Sequence, residues 1–250
     1  MLEVSVSNRV LRLELNRPER RNALSFELCQ ELVAGFARAE EDDSIGAILL
    51  TGRGAAFCSG MDLKEVRHVD PEELAYVHER LFSAIHRARK PIIAAVQGAA
   101  VAGGTGLVAN AHIVFATPDA EFGLPEIRIS LWPVLIYRVV AEAIGERRIL
   151  EWSLTGRRVT AHEAREAGLV TALDTDPLSV AEAAATTLAS YSSFALREGI
   201  SFAHNSRGLA QVDAAVLARS VRNRMMTHSD FHEGVDAFAN KRKPNWNKEP

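Results

Sequence analysis

The chain has 250 residues, 47% of them apolar and 24% charged, with 29 Lys and Arg against 32 Asp and Glu. That apolar content excludes a disordered chain, and the near-balanced net charge of −3 argues against a general nucleic-acid binder, which carries a strongly basic face. The two cysteines, Cys29 and Cys58, are too few for a disulfide-stapled mini-protein or a cysteine-based zinc site and fit a reducing compartment.

In chain order, Leu2 to Val6, a Ser7-Asn8 turn and the alternation Leu11, Leu13, Leu15 against Arg12 and Glu14 predict a hairpin with one buried face. Glu3, Arg9, Arg12 and Glu14 stand where a secretory peptide needs an apolar run, so no targeting segment is read and the cytoplasm is the expected compartment. After the polar loop from Asn16 to Ser25, Ser25 can cap a helix on which Leu28, Leu32 and Phe36 recur every four residues. Ala47 to Leu50 reads as a buried strand, followed by a glycine-rich loop through Phe57-Cys58-Ser59-Gly60-Met61-Asp62-Leu63. A helix over about 71–89 leads to a strand at Ile92 to Val96. A second glycine-rich loop, 98–104, opens a helix from about Gly104, and Ile113 to Ala116 is the next strand. Pro91 to Pro118 lacks Asp, Glu, Lys and Arg, but its Gln97, Asn110, His112 and four glycines favour buried strand, loop and helix over a membrane span. Thr160 and Glu163 read as a capping box, with Gly168 stopping that helix. From about Pro177 the pattern is helical. Strands alternating with helices predict an α/β fold with a largely parallel sheet over 1–195 and a helical region over 196–250.

Two glycine-rich loops at neighbouring strand ends let backbone approach a ligand and could aim two N–H groups at one oxygen, forming an oxyanion hole. The alternative is a pair of tight turns with no ligand. Glu126, between Pro125 and Ile127 in an apolar stretch, is a candidate general acid/base, because apolar surroundings disfavour the carboxylate; the alternative is a surface glutamate. Other chemistries find weaker support. Gly104-Thr105-Gly106-Leu107-Val108-Ala109 fits a dinucleotide fingerprint but stands far from the end of its strand. Ser59 and Cys58 lack the elbow that a hydrolase nucleophile needs. No cluster suggests a metal.

Taken together, these segments resemble the crotonase (enoyl-CoA hydratase/isomerase) superfamily. The similarity runs nearly end to end: Asn16-Arg17-Pro18 with Asn22-Ala23-Leu24; Ile48 to Gly52; Phe57 to Lys64; Lys90 to Gly98; Ala102-Gly103-Gly104; Phe122 to Ile127; Leu154 to Gly156 with Ala164 to Val170; and Glu233 to Phe238 followed by Lys241 to Pro244. The resemblance implies a spiral of ββα repeats with a helical C-terminal trimerisation region, and a homo-trimer or hexamer. It implies an acyl-CoA substrate, with coenzyme A arriving as part of the thioester rather than as a resident cofactor, and no nucleic-acid or membrane partner. The oxyanion donors map onto the Met61 and Gly103 amides and the acid/base onto Glu126. Coenzyme A contacts map onto Arg20, Arg21 and Ala23, onto backbone near Ser59, Asp62 and Leu63, and onto Lys241 for the nucleotide end.

The match breaks in one informative place. Hydratases of this family carry a second glutamate two residues after the position of Gly104, where this chain has Gly106. Relatives that isomerise dienoyl thioesters place an acid near Val134. The stretch after Glu126 is altered too, and bulky Trp132 and Tyr137 either reshape the acyl pocket or pack in the core. Adding water divides naturally between two carboxylates, whereas moving a double bond from C3 to C2 needs one base. The expectation is therefore a Δ3,Δ2-enoyl-CoA isomerase, with enoyl-CoA hydratase and a non-catalytic acyl-CoA-binding protein as alternatives.

Overall fold

A computed structural model describes residues 1–246; the last four residues of the predicted 196–250 region lie outside the described residues. The predicted hairpin forms as β1 (Leu2–Ser7) and β2 (Val10–Leu15), with Asn8 and Arg9 at positive φ in the turn. Ser25 caps α1 (Phe26–Glu41), its Oγ accepting from the Leu28 amide at 3.2 Å.

Three strand–strand–helix units follow. The first is β3 (Ala47–Gly52), β4 (Ala56–Cys58) and α2 (Pro71–His86). The second is β5 (Ile92–Val96), β6 (Ala99–Val101) and α3 (Gly103–Ala109). The third is β7 (Ile113–Ala116), β8 (Glu121–Gly123), a 3-10 turn at Pro125–Ile129 and α4 (Val134–Ile144). Then come α5 (Glu146–Thr155), β9 (Val159–Thr160), α6 (Ala161–Ala167), β10 (Ala172–Leu173), α7 (Pro177–Ala189), α8 (Ser193–Asn205), α9 (Gln211–Thr227) and α10 (Ser229–Ala239). The first strand of each unit enters a six-stranded sheet of order β1-β2-β3-β5-β7-β10, and the second enters a four-stranded sheet of order β4-β6-β8-β9. Among the described residues, only the β1/β2 and β8/β9 strand pairs are antiparallel. The chain is thus an α/β spiral of ββα units.

Alternation along the strands divides the core. Leu11, Leu13, Ile48, Leu50, Ile92 and Ala94 face α1 and α2, while Val10, Ala47, Leu49, Ile93 and Ala95 face Ala181, Ala185 and Ala189 of α7. Gly46 lets α7 close on the sheet, since a Cβ there would lie 2.8 Å from the Ala189 backbone. Helices α8 to α10 bury little among the described residues: only Val221 and Ala237 are fully buried. They dock through polar ties, with Ser192 Oγ donating to Asp230 at 2.5 Å and the Trp246 indole donating to the Ser190 carbonyl at 2.8 Å.

Three expectations need correction. Residues 98–104 are not all loop, because Ala99–Val101 pairs on both sides as β6; the first glycine-rich loop likewise begins with β4. Three-residue strands are too short to show periodicity. Helix α2 stops at His86 rather than near 89. Only half of the predicted capping box forms: Thr160 Oγ accepts from the Glu163 amide, but the Glu163 carboxylate is taken by Arg157, which also holds Glu151. Among the described residues, no helix is long and apolar enough to cross a membrane.

Candidate active site

Strands β4, β6 and β8 run parallel and adjacent, so their C-terminal ends lie on one edge of the small sheet. Met61 follows β4 by three residues, Gly103 follows β6 by two, and Glu126 follows β8 by three. Residues 65 positions apart in the chain are thereby gathered at one edge.

The Met61 loop is held by Leu24. The Leu24 amide donates to the Gly60 carbonyl at 2.8 Å, and the Asp62 amide donates to the Leu24 carbonyl at 3.0 Å. This is a parallel bridge in which Leu24 bonds to the two neighbours of Met61, so the Met61 amide itself faces away from Leu24. Gly103 begins α3, and its N–H has no carbonyl four residues behind it. No hydrogen bond among the described residues claims either amide. The two loops touch: a Cβ on Gly60, where φ is +84°, would lie 2.6 Å from the Ala102 Cβ and 3.2 Å from the Gly103 nitrogen. Ala102 adopts φ 51° and ψ −124°, a conformation costly for a residue with a Cβ, and its amide is pinned to the Gly123 carbonyl at 2.9 Å. Thr105 Oγ, fully buried, donates to the Ala100 carbonyl at 2.8 Å and receives the Gly123 amide at 3.3 Å. One hydroxyl thus ties the Gly103 loop to the strand that delivers Glu126.

Burial pushes the Glu126 carboxyl up to about 7, and its Oε2 meets no hydrogen-bond partner among the described residues. Removal from water disfavours the anion. An acid/base group balanced near neutrality, on the sheet edge that also carries two unclaimed amides, is suited to moving a proton next to a carbonyl whose oxygen gains charge.

The place predicted for a second carboxylate is closed. A Cβ on Gly106 would lie 2.4 Å from Ile136 Cγ2 and 3.1 Å from Phe82 Cε1. Helices α4 and α2 fill that space with hydrocarbon. The Trp132 and Tyr137 rings lie 6.3 Å apart, tilted by 30°, and the Tyr137 hydroxyl donates to Glu146 at 2.9 Å. Tyr137 packs against the main core.

The loop expected to hold coenzyme A is joined to the Met61 loop. The Ser59 amide donates to the Arg21 carbonyl at 3.0 Å, and Ser59 Oγ donates to the Arg20 carbonyl at 3.4 Å. Arg20, Arg21 and Leu63 are exposed, Ala23 is buried, and Ser59 is half-buried. Asp62 is occupied internally: its carboxylate pairs with Arg17 at 3.0 Å and receives the Lys64 amide, and Arg17 also donates to the Ala23 carbonyl. Sequence reasoning missed the role of Asn22. Buried at φ 53°, it donates to the Arg53 and Ala56 carbonyls and receives the Arg17 amide, locking the loop to β4. Asparagine tolerates this left-handed backbone, which is the only signal available beforehand.

No hydrogen bond or ion pair among the described residues ties the Lys241 side chain to this group. Lys241 is exposed, just beyond α10, a helix tied through Asp230 to Ser192 and through the following Trp246 to Ser190. Those anchors lie by Gly46, at the start of β3, whereas the Arg20–Ala23 loop leaves the opposite ends of the parallel strands.

The rival chemistries lose their geometry. Cys58 is fully buried and its thiol is pushed up to about 12 by burial, so it is no nucleophile. No hydrogen bond among the described residues links Ser59 to a histidine. Gly104 faces the Cys58 carbonyl at 2.3 Å from a built Cβ, leaving no room for a pyrophosphate. His112 is engaged structurally, its Nδ1 accepting from the Ile92 amide at 2.9 Å.

Comparison with known proteins agrees with this arrangement. The enoyl-CoA hydratase/isomerase family model matches residues 5–249. The 2,3-dehydroadipyl-CoA hydratase of Escherichia coli is 32% identical over 253 residues, covering 98% of each chain. An enoyl-CoA hydratase of Mycobacterium tuberculosis is 33% identical over 242 residues, covering 93% of this chain and 91% of its own. The crystal structure of an enoyl-CoA hydratase from Mycobacterium smegmatis superposes with a TM-score of 0.93 at 30% identity over 99% of both chains. With fold, loops and sequence in accord over their whole length, this chain belongs to the enoyl-CoA hydratase/isomerase family.

Proposed function

We propose that the protein shifts the double bond of a 3-enoyl-CoA thioester to the 2-position. The Glu126 carboxylate takes a proton from C2, and the electrons pass into the thioester to give a dienolate. The Met61 and Gly103 amides carry the charge on its oxygen. The same carboxyl returns the proton at C4, leaving the conjugated product. Fixed amides stabilise such charge without reorganising, and losing one such donor costs about 10²–10³ in rate.

The observation that carries this reading is Gly106 walled off by Ile136 and Phe82. Hydration needs a group to activate water and a proton source for C2, and general acid–base help is worth about 10²–10⁴ for each such step. One carboxylate serves an isomerase fully and a hydratase poorly. Arg20, Arg21, Ala23, Ser59 and Leu63 form the surface we assign to coenzyme A, which enters and leaves with the substrate. Lys241 would reach it from a second copy of the chain, in the trimer or dimer of trimers that we include in the proposal.

Enoyl-CoA hydratase is the second reading, favoured by the names of the relatives above. The two separate when the protein is given crotonyl-CoA and 3-hexenoyl-CoA in turn and the products are followed. Isomerisation of 3-hexenoyl-CoA well above hydration of crotonyl-CoA is expected, and the reverse ordering overturns the proposal. Binding of both thioesters without turnover of either would make the protein a carrier.

A further inference from the structure

Helix α2 buries one ionisable side chain on its inward face. His78 lies among Leu74, Val77, Leu81, Phe82 and Ile85 and is 6% exposed. Its Nε2 is buried and meets no partner of hydrogen-bonding geometry, although the carbonyls of Leu74 and Leu24 flank the ring. A buried, unpaired nitrogen is costly, so leucine or phenylalanine would serve packing better.

Its neighbours are those of the oxyanion amides. Phe82, one turn along α2, approaches within 3.6 Å of a Cβ built on Gly103 and within 3.1 Å of one on Gly106. Leu24 pairs with Met61, and its Cδ1 abuts Gly103. Glu65, which closes the Met61 loop by donating its amide to the Asp62 carbonyl, receives the Phe26 amide at 2.9 Å and lies near the ring. Burial keeps the imidazole neutral.

We propose that His78 is a positioning residue for the oxyanion hole, its ring N–H closing onto the Leu24 carbonyl when a thioester oxygen is bound. That carbonyl holds one hydrogen bond, from Asp62, and has a second lone pair free for another. Closing it fixes the Leu24–Met61 pair and hence the direction of the Met61 amide. The inference rests on the thioester reading proposed above.

The test uses the whole chain, a conjugated dienoyl-CoA and the variants His78→Phe and His78→Gln. The ultraviolet band of a dienoyl thioester moves to longer wavelength when hydrogen bonds draw charge onto its carbonyl, which needs no turnover. His78→Phe should bind the ligand, lose at least half of the wild-type band shift and lower kcat about tenfold with KM changed less than about twofold. His78→Gln, which keeps a donor, should recover part of both. A full band shift and unaltered kcat in His78→Phe overturn the role. So does a loss in which kcat, KM and melting temperature fall together and glutamine does no better than phenylalanine. A wild-type protein that binds dienoyl-CoA without any shift removes the thioester reading, and this role with it.

Discussion

Glu126 holds a carboxyl that burial has lifted to about 7, so its chemistry and its effect on folding depend on pH in opposite senses. As a base it works ionised, and kcat/KM should rise with pH through about 7 and then level. For folding, the carboxyl is harder to ionise in the native state than in the unfolded chain. Its contribution is therefore fully present below about 4.5 and is lost as pH rises through about 7. Glu126→Gln should lower kcat by about 10²–10⁴, yet melt at a higher temperature than wild type at pH 8, by on the order of 1–3 kcal/mol of stability, with the difference gone near pH 4.5. Steady-state rates and thermal melts across pH check both. Glu126 was legible because an acid in an apolar run is conspicuous. Asn22 and His78 were not, since their partners come from loops and helices that only the fold brings near.

At the scale of elements, the ββα unit explains what the sequence shows and what it hides. Long first strands such as Ile92–Val96 are buried on both faces and read as apolar runs. Two of the three-residue second strands, β4 and β6, were hidden inside stretches read as loops, and with β8 they set the edge that carries the proposed site. Their order is held by side chains with internal partners. Asn22→Ala removes two donated hydrogen bonds and one accepted one at a left-handed position, and should cost about 2–4 kcal/mol with a rise in KM for the thioester. Chemical denaturation and steady-state kinetics measure these. Gly106→Ala drives a methyl to 2.4 Å from Ile136 and should destabilise by about 1–3 kcal/mol, whereas Gly106→Ala with Ile136→Val should recover part of the loss. That packing explains why glycine stands where hydratase relatives were expected to have a carboxylate, something the sequence could state but not account for.

For the whole molecule, the parallel sheet, the ββα repeats and the helical C-terminal part were readable from pattern and family likeness. The polar ties that seat α8 to α10, Ser192 to Asp230 and Trp246 to Ser190, were not, because they join residues far apart in the chain. Those helices leave Val212, Val216, Phe231, Val235 and Phe238 exposed, the last at 87%. Apolar surface of that kind marks an association face. Phe238→Asp should shift the protein from the proposed trimer toward monomer in sedimentation and weaken acyl-CoA binding together with it, since the proposed Lys241 contact crosses between copies. The account as a whole stands on two main-chain amides and one carboxylate meeting at a thioester. A crystal structure with an unreactive 3-enoyl-CoA analogue tests this most directly. It should place the Met61 and Gly103 nitrogens both about 3 Å from the carbonyl oxygen, with the Glu126 carboxylate over C2. Amides directed at different atoms, or Glu126 turned out to solvent, would contradict it.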